Sequence, residues 1–148
     1  MKRHPALYPL SHDHHQGLVL AQQLKKGAPQ YKGMPSTPED KKEYATSFYK
    51  TELIRHFEIE EKILFPASAG KNEKIDKLID EIISEHKQIE NLVNELNKSD
   101  NIEKVMDELG QLLERHIRKE ERELFVMIEE ALNEKELETL STKLKESK

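Results

Sequence analysis

The chain reads as all-α, an antiparallel up-down-up-down four-helix bundle with a short C-terminal helix, on three observations. Apolar residues recur at alternating spacings of three and four, the period of one helical face. Pro and Gly gather between those runs, where helices have to stop. The runs are joined mostly by short connections, which set successive helices side by side with reversed direction. At 148 residues the chain is long enough for one real core and short for two. A single domain over 1–148 is expected, with the bundle core at about 10–131 and the tail at about 133–146.

The first helix follows Pro5 and Pro9, with Ser11 as expected N-cap, and carries Leu10, His14, Leu18, Ala21 and Leu24 on one face before Gly27. Residues 27–38, GAPQYKGMPSTP, read as the one long connection. Thr37 then caps a long second helix with Pro38, Glu39 and Asp40 in its first turn, and Pro66 is expected to end it at Phe65. Asn72 caps a third helix whose stripe is Ile75, Ile79, Ile82, His86, Ile89, Val93 and Leu96. Ser99 or Asp100 caps a fourth, with Val105, Leu109, Leu112, His116, Glu120, Leu124 and Met127 along one side. Asn133 and Glu136 make a capping box for the tail helix, which bears Leu137, Leu140 and Leu144.

Composition removes several classes of function. The formal charge is 24 − 29 = −5 with the two signs interspersed, so no basic stripe exists to neutralise phosphates and nucleic acid is not an expected partner. The absence of Cys rules out disulfides, thiolate metal sites, iron–sulfur clusters and a cysteine nucleophile. The amino terminus, MKRHPALYPLSHDHH, breaks into prolines and histidines before any apolar segment develops, and no run approaches membrane-spanning length. A cytoplasmic address, with no membrane association, is the expectation.

The informative residues are those that do not belong on an apolar stripe. On the second helix the stripe is Tyr49, Leu53, His56, Glu60 and Ile63; His116 and Glu120 intrude likewise on the fourth, His86 on the third and His14 on the first. Burying a carboxylate or an imidazole unpaired costs several kcal/mol at least, so something must compensate. Residues four apart stack on a helix, and His56 with Glu60, like His116 with Glu120, presents a nitrogen and a carboxylate to one region of space. In antiparallel helices His56 and His86 fall within roughly one turn of each other in depth. Four imidazoles and two carboxylates converging in one bundle suit iron or manganese, and a carboxylate from each of two helices can bridge two ions. An internal repeat strengthens this. HFEIEEKILF aligns with HIRKEERELF at an offset of 116 − 56 = 60, and DHHQ with EHKQ at 86 − 14 = 72.

In combination and order, LSHDHHQGL, HFEIEEKILFP, SEHKQI and HIRKEERELF resemble the hemerythrin-like, or HHE cation-binding, family over about 10–131. The resemblance implies a bundle around a non-haem di-iron centre, two iron ions with an oxo or hydroxo bridge, manganese or another divalent metal being the alternative. Carried over by motif, His14, His56, His86 and His116 are terminal ligands, and Glu60 and Glu120 bridge. Oxygen-carrying members place two histidines four apart on the third helix, whereas here His86 is followed at that spacing by Glu90. That departure argues against simple oxygen carriage. Glu90 and His15 stand as further candidate ligands, helical phase favouring His14 over His15.

Plainer readings apply to other residues. Glu58, Glu61, Glu121 and Glu123 lie beside the stripe and read mainly as solvated charges, Glu61 and Glu121 being the ones best placed to do more. Asp13 and Glu85 precede His14 and His86, but adjacent helical positions point apart, so no orienting role is assigned to them. Phe57, Phe65 and Phe125 read as packing around the site. Three functions follow: a di-iron protein that binds or senses O2, NO or iron; a di-iron oxidoreductase or iron-centre repair protein acting on peroxide, nitric oxide or damaged iron–sulfur proteins; and, ranked last, a metal-free helical interaction module. Whether the chain is an enzyme, and which protein it meets, is left open by the sequence.

Overall fold

The computed structural model describes residues 3–29 and 32–147, so Gln30 and Tyr31 of the long connection lie outside the described residues. Among these there are five helical stretches and no strand. A 3-10 turn, Pro5–Leu7, leads into α1, Tyr8–Leu24. Helix α2 covers 38–68, α3 is Glu73–Leu96, α4 covers 102–131 and α5 is Glu134–Glu146.

Three boundaries differ from expectation. Ser11 does not cap α1, which already begins at Tyr8 with Pro9 in its first turn, a place where a proline forfeits no bond. Pro66 does not end α2, which continues to Ser68. Ahead of it the backbone opens into a π-helical segment, Glu60–Leu64, in which the Phe65 N–H donates to the Glu60 carbonyl five residues back. Pro66 therefore enters at the start of a fresh α-helical turn, where its fixed φ and missing N–H are tolerated. Finally, the cap of α4 is Asn101, whose side chain accepts from the Lys104 N–H at 3.3 Å, while Ser99 Oγ accepts from Asn101 N–H. Thr37, Asn72 and the Asn133/Glu136 capping box sit where the sequence places them.

Packing divides the interior into two apolar clusters. One joins Leu7 and Leu10 to Leu64, Phe65, Ile75, Ile82, Leu124, Phe125 and Ile128. The other joins Leu20 and Leu24 to Tyr49, Leu53, Phe57, Ile89, Leu96, Leu109, Leu113 and Ile117. Helices α1 and α3 enter the first cluster and leave through the second, whereas α2 and α4 run the other way. Leu137, Leu140 and Leu144 bring α5 into the first cluster. Close approach of α1 to α4 depends on two glycines: a Cβ at Gly110 would stand 2.9 Å from the Ala21 carbonyl oxygen, and one at Gly17 would stand 2.8 Å from Ile117 Cδ1.

Candidate metal centre

Between the two apolar clusters lies a polar layer. Each helix from α1 to α4 contributes to it at the step where its stripe passes from one cluster to the other: His14 between Leu10 and Leu20, His56 and Glu60 between Leu53 and Leu64, His86 between Ile82 and Ile89, and His116 and Glu120 between Leu113 and Leu124. All six are buried, Glu60 and Glu120 completely. They form two groups that share both carboxylates, His14 and His56 with Glu60 and Glu120, and His86 and His116 with the same pair; in each group one ligand atom per residue lies within 4.8 Å of the others. A π-helical segment begins at each shared carboxylate, Glu60–Leu64 and Glu120–Leu124, a local widening common at functional positions.

The inward-facing atoms are poorly satisfied by the protein. Both oxygens of Glu60, both of Glu120, and Nε2 of His86 and of His116 are buried without a hydrogen-bond partner. His116 Nε2 stands 2.8 Å from Glu120 Oε1, and His86 Nε2 3.2 Å from Glu60 Oε1, neither pair aligned as a hydrogen bond. His14 Nε2 and His56 Nε2 face each other at 3.1 Å. Lone pairs and carboxylate oxygens aimed at one another in a dry interior are destabilising unless a cation or a proton lies among them. The donor set of imidazole nitrogen and carboxylate oxygen fits a first-row transition metal.

The outward-facing Nδ1 atoms are satisfied, all in the same manner. Each donates to a carboxylate on another helix: His14 to Glu121 at 2.6 Å, His56 to Asp13 at 3.0 Å, His86 to Glu61 at 2.7 Å and His116 to Glu85 at 2.8 Å. A carboxylate on Nδ1 fixes the tautomer that leaves Nε2 free to ligate, and fixes the plane of the ring. Asp13 and Glu85 thus do orient histidines, contrary to expectation. Adjacent positions do point apart, so each serves the neighbouring helix's imidazole rather than the one beside it. The repeat carried the missed signal: an acid precedes the lone histidine in both copies, and an acid follows the shared carboxylate in both. Aromatic rings complete the walls, with Phe57 stacked on His86 at 3.9 Å and Phe125 on His14 at 5.3 Å.

Electrostatics reflect this crowding. Burial pushes the His56 imidazole down, but the Glu60 charge and the hydrogen bond to Asp13 outweigh it and carry the group up to about 10. His116 reaches about 9, where burial is overcome by Glu120 and Glu85, and His14 is raised in the same way by Glu120 and Glu121. Burial and the Glu60 charge push the Glu120 carboxyl up, whereas Glu60, despite its burial, is held well below the usual range by His56. The two carboxylates are thus pushed in opposite directions, Glu60 toward its charged form and Glu120 toward its neutral one.

The other candidates stand apart. His15 is exposed, one position off the inward face that carries His14. Glu90 is half-buried, belongs to neither group, and accepts a hydrogen bond from the Tyr49 hydroxyl at 3.3 Å. Burial, reinforced by the Glu90 charge and this contact, pushes the Tyr49 phenol up to about 12. Glu58 and Glu123 are exposed.

In comparison with known proteins, the model of the hemerythrin HHE cation binding domain matches residues 6–128. No curated protein and no solved structure matches the chain.

Proposed function

The chain belongs to the hemerythrin HHE cation-binding family, and we propose that its buried layer is a non-haem di-iron centre that binds or senses O2, NO or iron. The carrying observation is the set of inward Nε2 and carboxylate atoms left without partners while every outward Nδ1 is held by an acid. In this reading His14 and His56 hold one ion, His86 and His116 the other, and Glu60 and Glu120 bridge. Two iron ions supply reversible one-electron chemistry and coordination positions open to a small ligand. The chain's own residues do the rest: the four outer carboxylates lock the imidazoles, Phe57 and Phe125 cover two of them, and the apolar clusters above and below exclude water. The reversal of cluster order from helix to helix supports an up-down-up-down bundle of α1 to α4 in one domain, with α5 added. Among the described residues no helix is long and apolar enough to cross a membrane, in keeping with a cytoplasmic protein.

Glu90 favours a second reading on the same centre. With its carboxylate turned to Tyr49, each metal position counts only two imidazoles, which leaves room for an exchangeable ligand and hence for turnover of peroxide or nitric oxide, or for donating iron to damaged iron–sulfur proteins. Anaerobic loading with iron(II), followed by exposure to O2, NO and peroxide, separates the readings. Near-ultraviolet charge-transfer absorption without sustained consumption supports binding or sensing; steady consumption supports the oxidoreductase. Metal uptake well below two ions per chain would sink both.

A further inference from the structure

The metal layer is reached by a residue from ahead of the family match. Arg3 precedes residue 6, where the match begins, yet it lies against the outer side of the His14 imidazole's two supports. We propose that Arg3 is a positioning residue for His14, acting through Glu121 and Phe125, and that it sets the affinity and potential of the metal position His14 serves. This rests on the reading of His14 as a ligand.

Two routes connect the guanidinium to one imidazole. Along the first, Arg3 Nη2 donates to the Glu121 backbone carbonyl at 2.6 Å and lies 3.4 Å from Glu121 Oε1, while Glu121 Oε2 accepts from His14 Nδ1 at 2.6 Å. Along the second, Arg3 Cζ stands 5.4 Å over the Phe125 ring, which stacks on His14 at 5.3 Å with 22° between the planes. Arg3 Nη1 is anchored by Glu129 Oε1 at 2.5 Å, and Ser11 Oγ donates to Glu121 as well. The guanidinium Nε is buried without a partner, so the fork is placed by Glu121, Glu129 and Phe125 at the expense of its own third donor. The planar guanidinium spans Glu121 through Nη2 and Glu129 through Nη1 and so fixes the one against the other, which a point charge on a flexible stem does not. A cation there also draws electron density from Glu121 and hence from His14, which disfavours the more oxidised metal.

The other half of the centre lacks this device. At the repeat offset Glu121 corresponds to Glu61 (121 − 60 = 61), which accepts from His86 but is 40% exposed, with no cation bridged to it among the described residues. His14 and His86, alike in sequence, are thus held unequally, and the two metal positions should differ because of Arg3.

The test uses the full chain, titrated anaerobically with iron(II) by calorimetry, together with the midpoint potential of the loaded protein. Arg3→Gln is expected to weaken one of the two iron(II) sites about tenfold, as loss of an outer partner typically does, and to leave the other unchanged. Its potential should fall. Arg3→Lys, which keeps the charge without the fork, should restore the potential and only part of the affinity. Adding Arg3→Gln to Glu121→Gln should weaken binding by less than the sum of the two separate effects, since only the route through Phe125 is left to lose. Equal iron binding and potential in Arg3→Gln and the unaltered chain overturn the proposal, as do fully additive effects of the two substitutions, which would mark Arg3 as a tether of the amino terminus. If the unaltered chain takes up no iron, the reading beneath the proposal fails first, and the two failures are told apart.

Discussion

Loading the centre should raise the melting temperature by about 12–24 °C. Six inward atoms, from Glu60, Glu120, His86 and His116, are buried without partners, and each such atom costs about 1–3 kcal/mol. In protein stripped by a chelator, the protonated His56 beside ionised Glu60 offsets part of this, so the lower bound is appropriate, about 6 kcal/mol in all. Mass action permits that much: an ion present at a thousand times its dissociation constant contributes about 4 kcal/mol, and two contribute about 8. For a domain of this size each kcal/mol moves the midpoint by about 2–4 °C. Thermal unfolding followed by far-ultraviolet circular dichroism, on stripped protein and on protein given two equivalents of iron(II) or manganese(II) without oxygen, reads the difference directly. A shift smaller than about 2 °C, at most about 1 kcal/mol by the same scale, would show that the partnerless atoms do not face a cation site.

Three further outcomes follow from individual groups. In stripped protein His56 and His116 titrate at about 10 and about 9, above the ordinary value of about 6.5; their stabilisation is full below that value and is lost as pH rises through 9 to 10. Urea midpoints of stripped protein should fall across that window, while iron affinity rises as bound protons are displaced; a flat urea profile would contradict the assignment. Hydrogen bonds from Lys25 and Arg118 hold the Glu114 carboxyl down at about 2, so its contribution, about 1 kcal/mol after solvent screening, is present above pH 4.5 and disappears as pH falls toward 2. Glu114→Gln should remove it at neutral pH and flatten that part of the acid titration. Gly110→Ala should destabilise by about 1–3 kcal/mol, because its Cβ meets the Ala21 carbonyl and α1 cannot retreat freely. Gly17→Ala should cost less, since only the end of the Ile117 side chain stands in the way; equal costs in denaturant unfolding would argue against that distinction.

The helices and the inward residues were legible because both are periodic. A stripe at three-and-four spacing names its own exceptions, and His14, His56, Glu60, His86, His116 and Glu120 stand out wherever an apolar residue is due. Boundaries were less legible where a local device overrode a residue's usual habit: Pro66 is a helix breaker by default, but the π-helical segment before it lets α2 continue. The same widened turn recurs at Glu120, and no composition or propensity announces it.

The carboxylates that orient the histidines were hidden for a different reason. Periodicity on one helix says which residues share a face; it is silent about which residue of the next helix a flank meets. Asp13 serves His56, Glu85 serves His116, Glu61 serves His86 and Glu121 serves His14, so every partnership crosses between helices and every acid sits next to an inward residue that it does not touch. Viewed along one helix, each pair of neighbours points apart and looks unrelated. Across the repeat, the same neighbours recur in both copies, and an acid held beside an inward polar residue twice over is better explained by the helix it faces than by the one that carries it. Arg3 has no copy and lies ahead of every stripe, so only the packed structure connects it to His14.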